Sequence, residues 1–159
     1  MAKGLVNSIT NEKVKLWYLE NQEISSFLDI VAASIEGYSF DTKSGLFVKP
    51  VFKKINGKLK QTLVQVVFPR PTDIHYHEDV DEAVKVIQGY ANVLVEDQKD
   101  IKTIIMGDEI NIPKGKHHYF CPDKNRFLEL FIACSGILDP SKEKCVQHFY
   151  DVDWYSDSE

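Results

Sequence analysis

The stretch that decides the fold is His75-Tyr76-His77-Glu78-Asp79-Val80-Asp81-Glu82, followed by Gly89. On a strand, alternate residues share a face, so His75 and His77 turn both imidazoles the same way. A short turn then brings Glu82 back toward them at the start of the next strand, which would set three metal-binding side chains on one wall. A second segment, Gly107-Asp108-Glu109-Ile110-Asn111-Ile112-Pro113-Lys114-Gly115-Lys116-His117-His118, offers a fourth ligand. The expected set is His75, His77, Glu82 and His118. The rest of the chain reads as the barrel that holds them.

Outward from this stretch the hydrophobic period is two. Residues 45–54 and 58–68 read as strands, with Asn56-Gly57 as the hairpin turn between them. Further short strands are expected at 73–77, 83–88, 90–96, 101–105, 109–112, 117–121 and 127–134, with Cys145 to Tyr150 as a last edge strand. Gly and Asp/Asn turn signals separate them, the pattern of an all-β antiparallel sandwich or barrel. Before residue 45 the period changes. Ile24, Phe27, Leu28, Val31 and Ile35 recur at three- and four-residue spacing, predicting an amphipathic helix that Gly37 ends. For residues 1–22, with Val14, Leu16, Trp17, Tyr18 and Leu19, a short strand and a loop packed on the barrel both fit. The expected division is an N-terminal helical extension over 1–44, a barrel over 45–150 and an acidic tail over 151–159.

Composition narrows the function. A chain of 159 residues can bury one sizeable core without staples. A net charge of −5 argues against a phosphate-backbone binder, so no nucleic-acid partner is expected. No run approaches the eighteen or so apolar residues of a membrane span, and the start lacks the apolar stretch of a signal peptide. A cytoplasmic protein with no membrane partner is expected. Cys121, Cys134 and Cys145 are odd in number and lack CxxC spacing, so they read as reduced thiols.

The quoted residues resemble those of the cupins, small double-stranded β-helix barrels of the jelly-roll class. The family's first motif is glycine, five residues, His-x-His, three or four residues, Glu, six residues and Gly. His75, His77, Glu82 and Gly89 match it in register, while Pro69 stands at the opening glycine. The second motif is Gly, five residues, Pro-x-Gly, two residues, His, three residues and Asn. Gly107, Pro113, Gly115 and His118 match, and Pro122 stands at the asparagine. Both departures fall on turns and not on ligands. Gly89 and Gly107 suit strand turns that want a positive φ, and Pro113 and Gly115 are expected to bend the chain so that His118 enters from the opposite wall. The family register also prefers His118 over His117, which by parity points the other way. The resemblance implies a homodimer.

Three imidazoles and a carboxylate in an apolar barrel leave Glu82 poorly solvated unless a cation sits beside it. The donor set suits one divalent transition metal: Fe, Mn, Ni, Co, Cu or Zn. Four protein ligands on an octahedral ion leave two positions for a small-molecule substrate, water or dioxygen. A metal-dependent dioxygenase, with iron favoured, is the leading expectation. A sugar or sugar-phosphate isomerase or epimerase is second, and a non-enzymatic binding barrel closed by Phe68, Tyr119, Phe120 and Phe131 is the alternative to an enzyme. Around the site, Arg70, Lys85, Gln65 and Tyr119 are candidates to line the mouth. Glu78, Asp79 and Asp81 read as a solvated turn, Tyr76 as core, Glu129 as an outward strand residue, and His148 as a surface or edge residue.

Overall fold

The computed structural model describes residues 9–23, 26, 37–41, 46–67, 70–96, 101–123, 126–138 and 142–151. Two antiparallel sheets face each other. The strands are β1 (Ser39–Asp41), β2 (Leu46–Ile55), β3 (Lys58–Val67), β4 (Ile74–Tyr76), β5 (Glu82–Gln88), β6 (Tyr90–Val95), β7 (Lys102–Ile105), β8 (Glu109–Ile112), β9 (His118–Pro122), β10 (Leu128–Cys134) and β11 (Lys144–Gln147). One sheet runs β1-β2-β3-β10-β5-β8 and the other β11-β4-β9-β6-β7. The two-sheet barrel expected from the period-two pattern is the observed architecture.

Alternation along the strands builds the core. On β10, Leu128, Leu130, Ile132 and Cys134 are buried and the residues between them are not. On β5 the buried face is Glu82, Val84 and Val86, so a carboxylate takes the first inward position of an otherwise aliphatic row. These side chains meet Val93, Val95, Ile104 and Phe120 of the other sheet. Each fully buried aliphatic side chain contributes about 1.5–3 kcal/mol. The β2–β3 hairpin turns at Asn56 (φ 52°) and Gly57 (φ 76°), the paired left-handed conformation that matches strand twist.

The N-terminal segment, left between strand and loop by its sequence, is a helix: α1, Glu12–Glu20. Asn11 caps it, its Oδ1 accepting from the backbone N–H groups of Lys13 and Val14 at 3.1 and 3.3 Å. Val14 and Tyr18, one turn apart, are fully buried, while Leu16 and Leu19 are about half exposed. Those two outward leucines blur the periodicity. With Ile9, Phe47, Val66 and Phe149, the helix builds a second apolar cluster on the outside of the first sheet. The helix expected from Ile24, Phe27, Leu28, Val31 and Ile35 lies outside the described residues, as does the acidic tail beyond residue 151. The last edge strand is shorter than expected: β11 ends at Gln147, and Phe149–Asp151 form a 3-10 turn.

Candidate metal centre

His75 lies on β4, directly across from His118 on β9. His77 follows β4, its carbonyl accepting the N–H of Gly115 at 2.7 Å, which ties the turn before β9 to the end of β4. Gly115 has φ 80°, a conformation that favours glycine. Ligand nitrogens of His75, His77 and His118 lie within 4.8 Å of one another. This group can hold a metal ion. Glu82 starts β5 in the other sheet, and its Oε1 is 3.4 Å from His118 Nε2 and 3.6 Å from His77 Nε2.

The partition between the walls therefore differs from the expected one. All three imidazoles belong to one sheet, and it is Glu82 that comes from across the barrel. The physical cause is the turn at 78–81, which carries the chain from one sheet to the other before β5 begins. Asp81 fixes that crossing: its Oδ1 accepts from Lys114 N–H at 2.8 Å, and its own N–H donates to Ser135 Oγ at 2.8 Å. Glu78 and Asp79 remain solvated, as expected.

Hydrogen bonds prepare the imidazoles as ligands. His75 Nδ1 is 2.9 Å from the Asp73 carbonyl and His118 Nδ1 is 3.0 Å from the Lys116 carbonyl. A carbonyl only accepts, so each Nδ1 carries the proton and each Nε2 presents a lone pair. For His118 that lone pair faces the Glu82 carboxylate, acceptor against acceptor. A cation between them resolves the conflict. The 3.4 Å separation falls within the edges of about 3.0–3.5 Å expected between nitrogen and oxygen donors sharing an ion at about 2.1 Å, and the 3.6 Å separation lies just beyond them. The donor set fits a divalent transition metal.

The electrostatics agree. Burial, with the charge of His118 next, holds His75 down to about 3, and burial lowers His77 as well. Both are neutral, ligand-ready imidazoles near neutral pH. Burial alone pushes the Glu82 carboxyl up, and positive charge in the imidazole cluster is what draws it below its usual range; with the imidazoles neutral, a bound cation would supply that charge.

One residue of the site escaped the sequence reading. Glu143, just before β11, puts Oε1 3.7 Å from His75 Nε2 and 3.9 Å from His77 Nε2. Burial, together with Asp73, Asp41 and Glu82, raises its carboxyl to about 7. No local motif marks it. It arrives because β11 pairs with β4, setting Lys144 opposite Tyr76 and Cys145 opposite His75.

The cluster opens on a cavity of about 510 Å³ whose walls include Leu46, Val48, Leu63, Phe120, Ile132 and Leu138. Its polar lining includes Gln61, Gln65, Thr72 and the carboxylates of Asp41, Asp73, Glu82 and Glu143. Among the described lining residues there is no Lys or Arg. Of the candidates for the mouth, only Gln65 is there. Lys85 is exposed on the alternate face of β5, and Tyr119 is buried facing away from His118's side of β9. Arg70 is fully buried elsewhere: its guanidinium carbon lies 3.6 Å over the Phe149 ring and its Nε donates to Tyr18 Oη at 3.2 Å. It serves the helix cluster, not the cavity.

The remaining candidates resolve by parity. His117 points outward and stacks on Tyr76 at 4.8 Å, so Tyr76 faces away from His75 as expected but is only half-buried. His148 is 41% exposed and sits beside Asp73. Glu129 is half-buried on the outward face of β10. None of the three cysteines is in a disulfide, and burial pushes the Cys134 thiol up to about 12 and the Cys145 thiol up to about 11.

Solved structures that share this architecture include cupins. A cupin-like protein from Thermotoga maritima is 19% identical, with 72% of this chain and 89% of that chain covered at a TM-score of 0.57. A nucleoside dehydratase is 14% identical over 73% of this chain and 90% of its own, TM-score 0.55. A polyketide cyclase from Streptomyces resistomycificus is 18% identical over 71% and 75%, TM-score 0.52. No protein-family model matches the chain, and neither does any curated protein sequence. The chain has the cupin fold. Among the described residues, no helix is long and apolar enough to cross a membrane.

Proposed function

We propose that this cupin-fold chain is a metal-dependent enzyme acting on a small, uncharged, oxygen-bearing organic substrate, with His75, His77, His118 and Glu82 as the metal ligands. The observation that carries the reading is Glu143 beside the Nε2 atoms of His75 and His77, facing a cavity whose described lining holds no cation. A bound divalent ion, iron(II) being the first choice, would polarise a substrate oxygen. Glu143 then accepts a proton from the adjacent carbon or hydroxyl and returns it, the work of a dehydratase, cyclase or isomerase. Gln61 and Gln65 offer neutral amides to hydroxyl or carbonyl groups. Leu63, Phe120 and Ile132 keep water from the reacting face.

The acidic lining works against a phosphorylated substrate, so the sugar-phosphate version is set aside in favour of neutral ones. A closed binding barrel loses its support too. Phe120 lines the cavity, but Tyr119 is buried away from it, Phe131 is exposed outside it, and Phe68 lies outside the described residues. The dioxygenase reading remains the second one, because four protein ligands leave two positions on an octahedral ion. Two similar folds, a dehydratase and a cyclase, agree with proton transfer as the first.

The test is metal analysis of protein purified without a tag, followed by two assays after Fe(II) loading. Solvent-deuterium incorporation into polyhydroxyl and diketone compounds, lost in Glu143→Gln with metal retained, is the expected result. Oxygen consumption without deuterium exchange would move the protein to the dioxygenases. Failure to bind about one metal per chain at His75, His77 and His118 would overturn both.

A further inference from the structure

Asp73, Cys145 and His148 form a second convergence of ligand atoms, beside the strand pair β4–β11. Their ligand atoms lie within 4.8 Å of one another. Cys145 Sγ is 3.4 Å from His148 Nδ1, and His148 Nδ1 is 3.5 Å from Asp73 Oδ2. Both contacts use the same imidazole nitrogen. A Cys–His–Asp relay needs the two ring nitrogens to face different partners, so this geometry is not that of a nucleophilic triad. It is that of three donors around one centre.

The distances support this. For bonds of about 2.3 Å to sulfur and about 2.05 Å to nitrogen and oxygen, tetrahedral geometry gives S–N and N–O edges of about 3.6 and about 3.3 Å. The observed edges, 3.4 and 3.5 Å, lie within about 0.2 Å of those values. The sequence achieves this through a bulge. Cys145 and His148 are three apart, so on a regular strand they would face opposite ways. The pairing of β11 with β4 shifts register between Cys145 and Gln147, leaving Val146 as the extra residue, and both side chains then meet the same carboxylate. Asp73 is 6% exposed, and its Oδ1 is held by the N–H of Phe149 at 2.8 Å, which leaves Oδ2 for the site. Cys145 is exposed and His148 partly so, which gives an ion a way in and room for a water as fourth ligand.

We propose that Asp73, Cys145 and His148 bind a second divalent ion of the zinc class, separate from the imidazole cluster, that fastens β11 to β4. One thiolate, one imidazole and one carboxylate suit borderline metals such as zinc and cobalt. On binding, the Cys145 S–H bond breaks, its proton goes to solvent and the sulfur binds the ion. No oxidant is involved. Because Glu143 precedes β11, the ion would also hold that carboxyl over the cavity.

The first site contains no sulfur, so cobalt distinguishes the two. Metal-free full-length protein, reduced and kept under argon, is titrated with Co(II). The expected result is two equivalents bound and a near-ultraviolet sulfur-to-cobalt charge-transfer band. Cys145→Ser should bind one equivalent without the band, whereas His77→Ala should bind one equivalent with it. A wild-type protein that lacks the band, or a band that survives Cys145→Ser, overturns the inference while leaving the imidazole site standing. A band with a single equivalent, unchanged in His77→Ala, would instead remove the imidazole site. As a measurement without substitutions, Zn(II) should protect Cys145 from iodoacetamide in peptide mapping; alkylation at the metal-free rate would also overturn it.

Discussion

Asp73 addresses two histidines with two different atoms: its main-chain carbonyl accepts from His75 Nδ1 at 2.9 Å, and its side-chain Oδ2 lies 3.5 Å from His148 Nδ1. The orientation of His75 thus depends on the backbone, and the second cluster on the side chain. Asp73→Asn separates them. It should leave metal affinity at the imidazole cluster within about tenfold of wild type, less than the 10–100-fold typical of losing an orienting partner. It should also weaken cobalt binding at Cys145. Competition with a chelator of known affinity measures both.

Removing an imidazole is a different matter. His118→Ala takes away a proposed ligand and the imidazole 3.4 Å from the buried Glu82 carboxylate. Metal affinity should fall more than about 100-fold, beyond the range for orienting partners. Elemental analysis after gel filtration checks it, with circular dichroism confirming the strands. Stoichiometric metal in that variant combined with Cys145→Ser, which removes the second cluster, would contradict the ligand assignment.

Metal-free protein should be acid-sensitive in a way that Glu143 partly masks. His75 is neutral when folded down to about 3 but protonates near 6.5 when unfolded. The unfolded chain therefore binds more protons between those values, and stability falls as pH drops from about 6.5 to about 3. Glu143 has the opposite sign. Its folded carboxyl titrates near 7 against 4.5 unfolded, so its contribution is present below 4.5 and lost as pH rises through 7. Glu143→Gln should raise Tm at pH 8 and leave it unchanged at pH 4, in melts run with a chelator. Equal Tm values at both pH values would show that the carboxyl is not desolvated.

Two glycines with similar φ should respond unequally. At Gly89 (φ 90°) a Cβ would collide with the Phe127 carbonyl oxygen, whereas at Gly107 (φ 93°) it would meet nothing. Gly107→Ala should cost only the backbone strain, about 1–2 kcal/mol. Gly89→Ala should cost about 3 kcal/mol or more, because backbone has to move. Urea unfolding of both variants gives the comparison.

Arg70 is a fully buried charge outside the cavity. It stacks on Phe149, bonds Tyr18 and lies near Asp73. Arg70→Ala should destabilise by about 3–5 kcal/mol, and Arg70→Lys should recover little, since an ammonium cannot stack as a flat guanidinium does. Chemical denaturation reads both.

What was legible in the chain was what has local periodicity. His75 and His77 share a face by parity, the resemblance to the cupin motif picks His118 while parity turns its neighbour His117 the other way, and Asn56-Gly57 marks its own turn. What was not legible comes from pairing between distant segments. Glu143 and Cys145 reach the site only because β11 lies against β4, and nothing near them announces that partner. Arg70 looked available for a substrate because burial of an arginine against Phe149 depends on a residue far along the chain. The helix at Glu12–Glu20 was ambiguous because Leu16 and Leu19 point outward. The allocation of ligands to walls was reversed because two strands adjacent in space, β4 and β9, are far apart in sequence.

The split of donors across the barrel carries a mechanical corollary. With three nitrogens fixed on one layer and Glu82 on the facing one, the gap between layers would act as a calliper for the radius of a bound ion. Close-packed interiors resist compression, so an ion of unsuitable size has to part or pinch the layers, and the surrounding Val84, Phe120 and Leu130 oppose it. Discrimination among similar cations would then reside in the aliphatic packing between the sheets, several side chains removed from any atom that touches the ion.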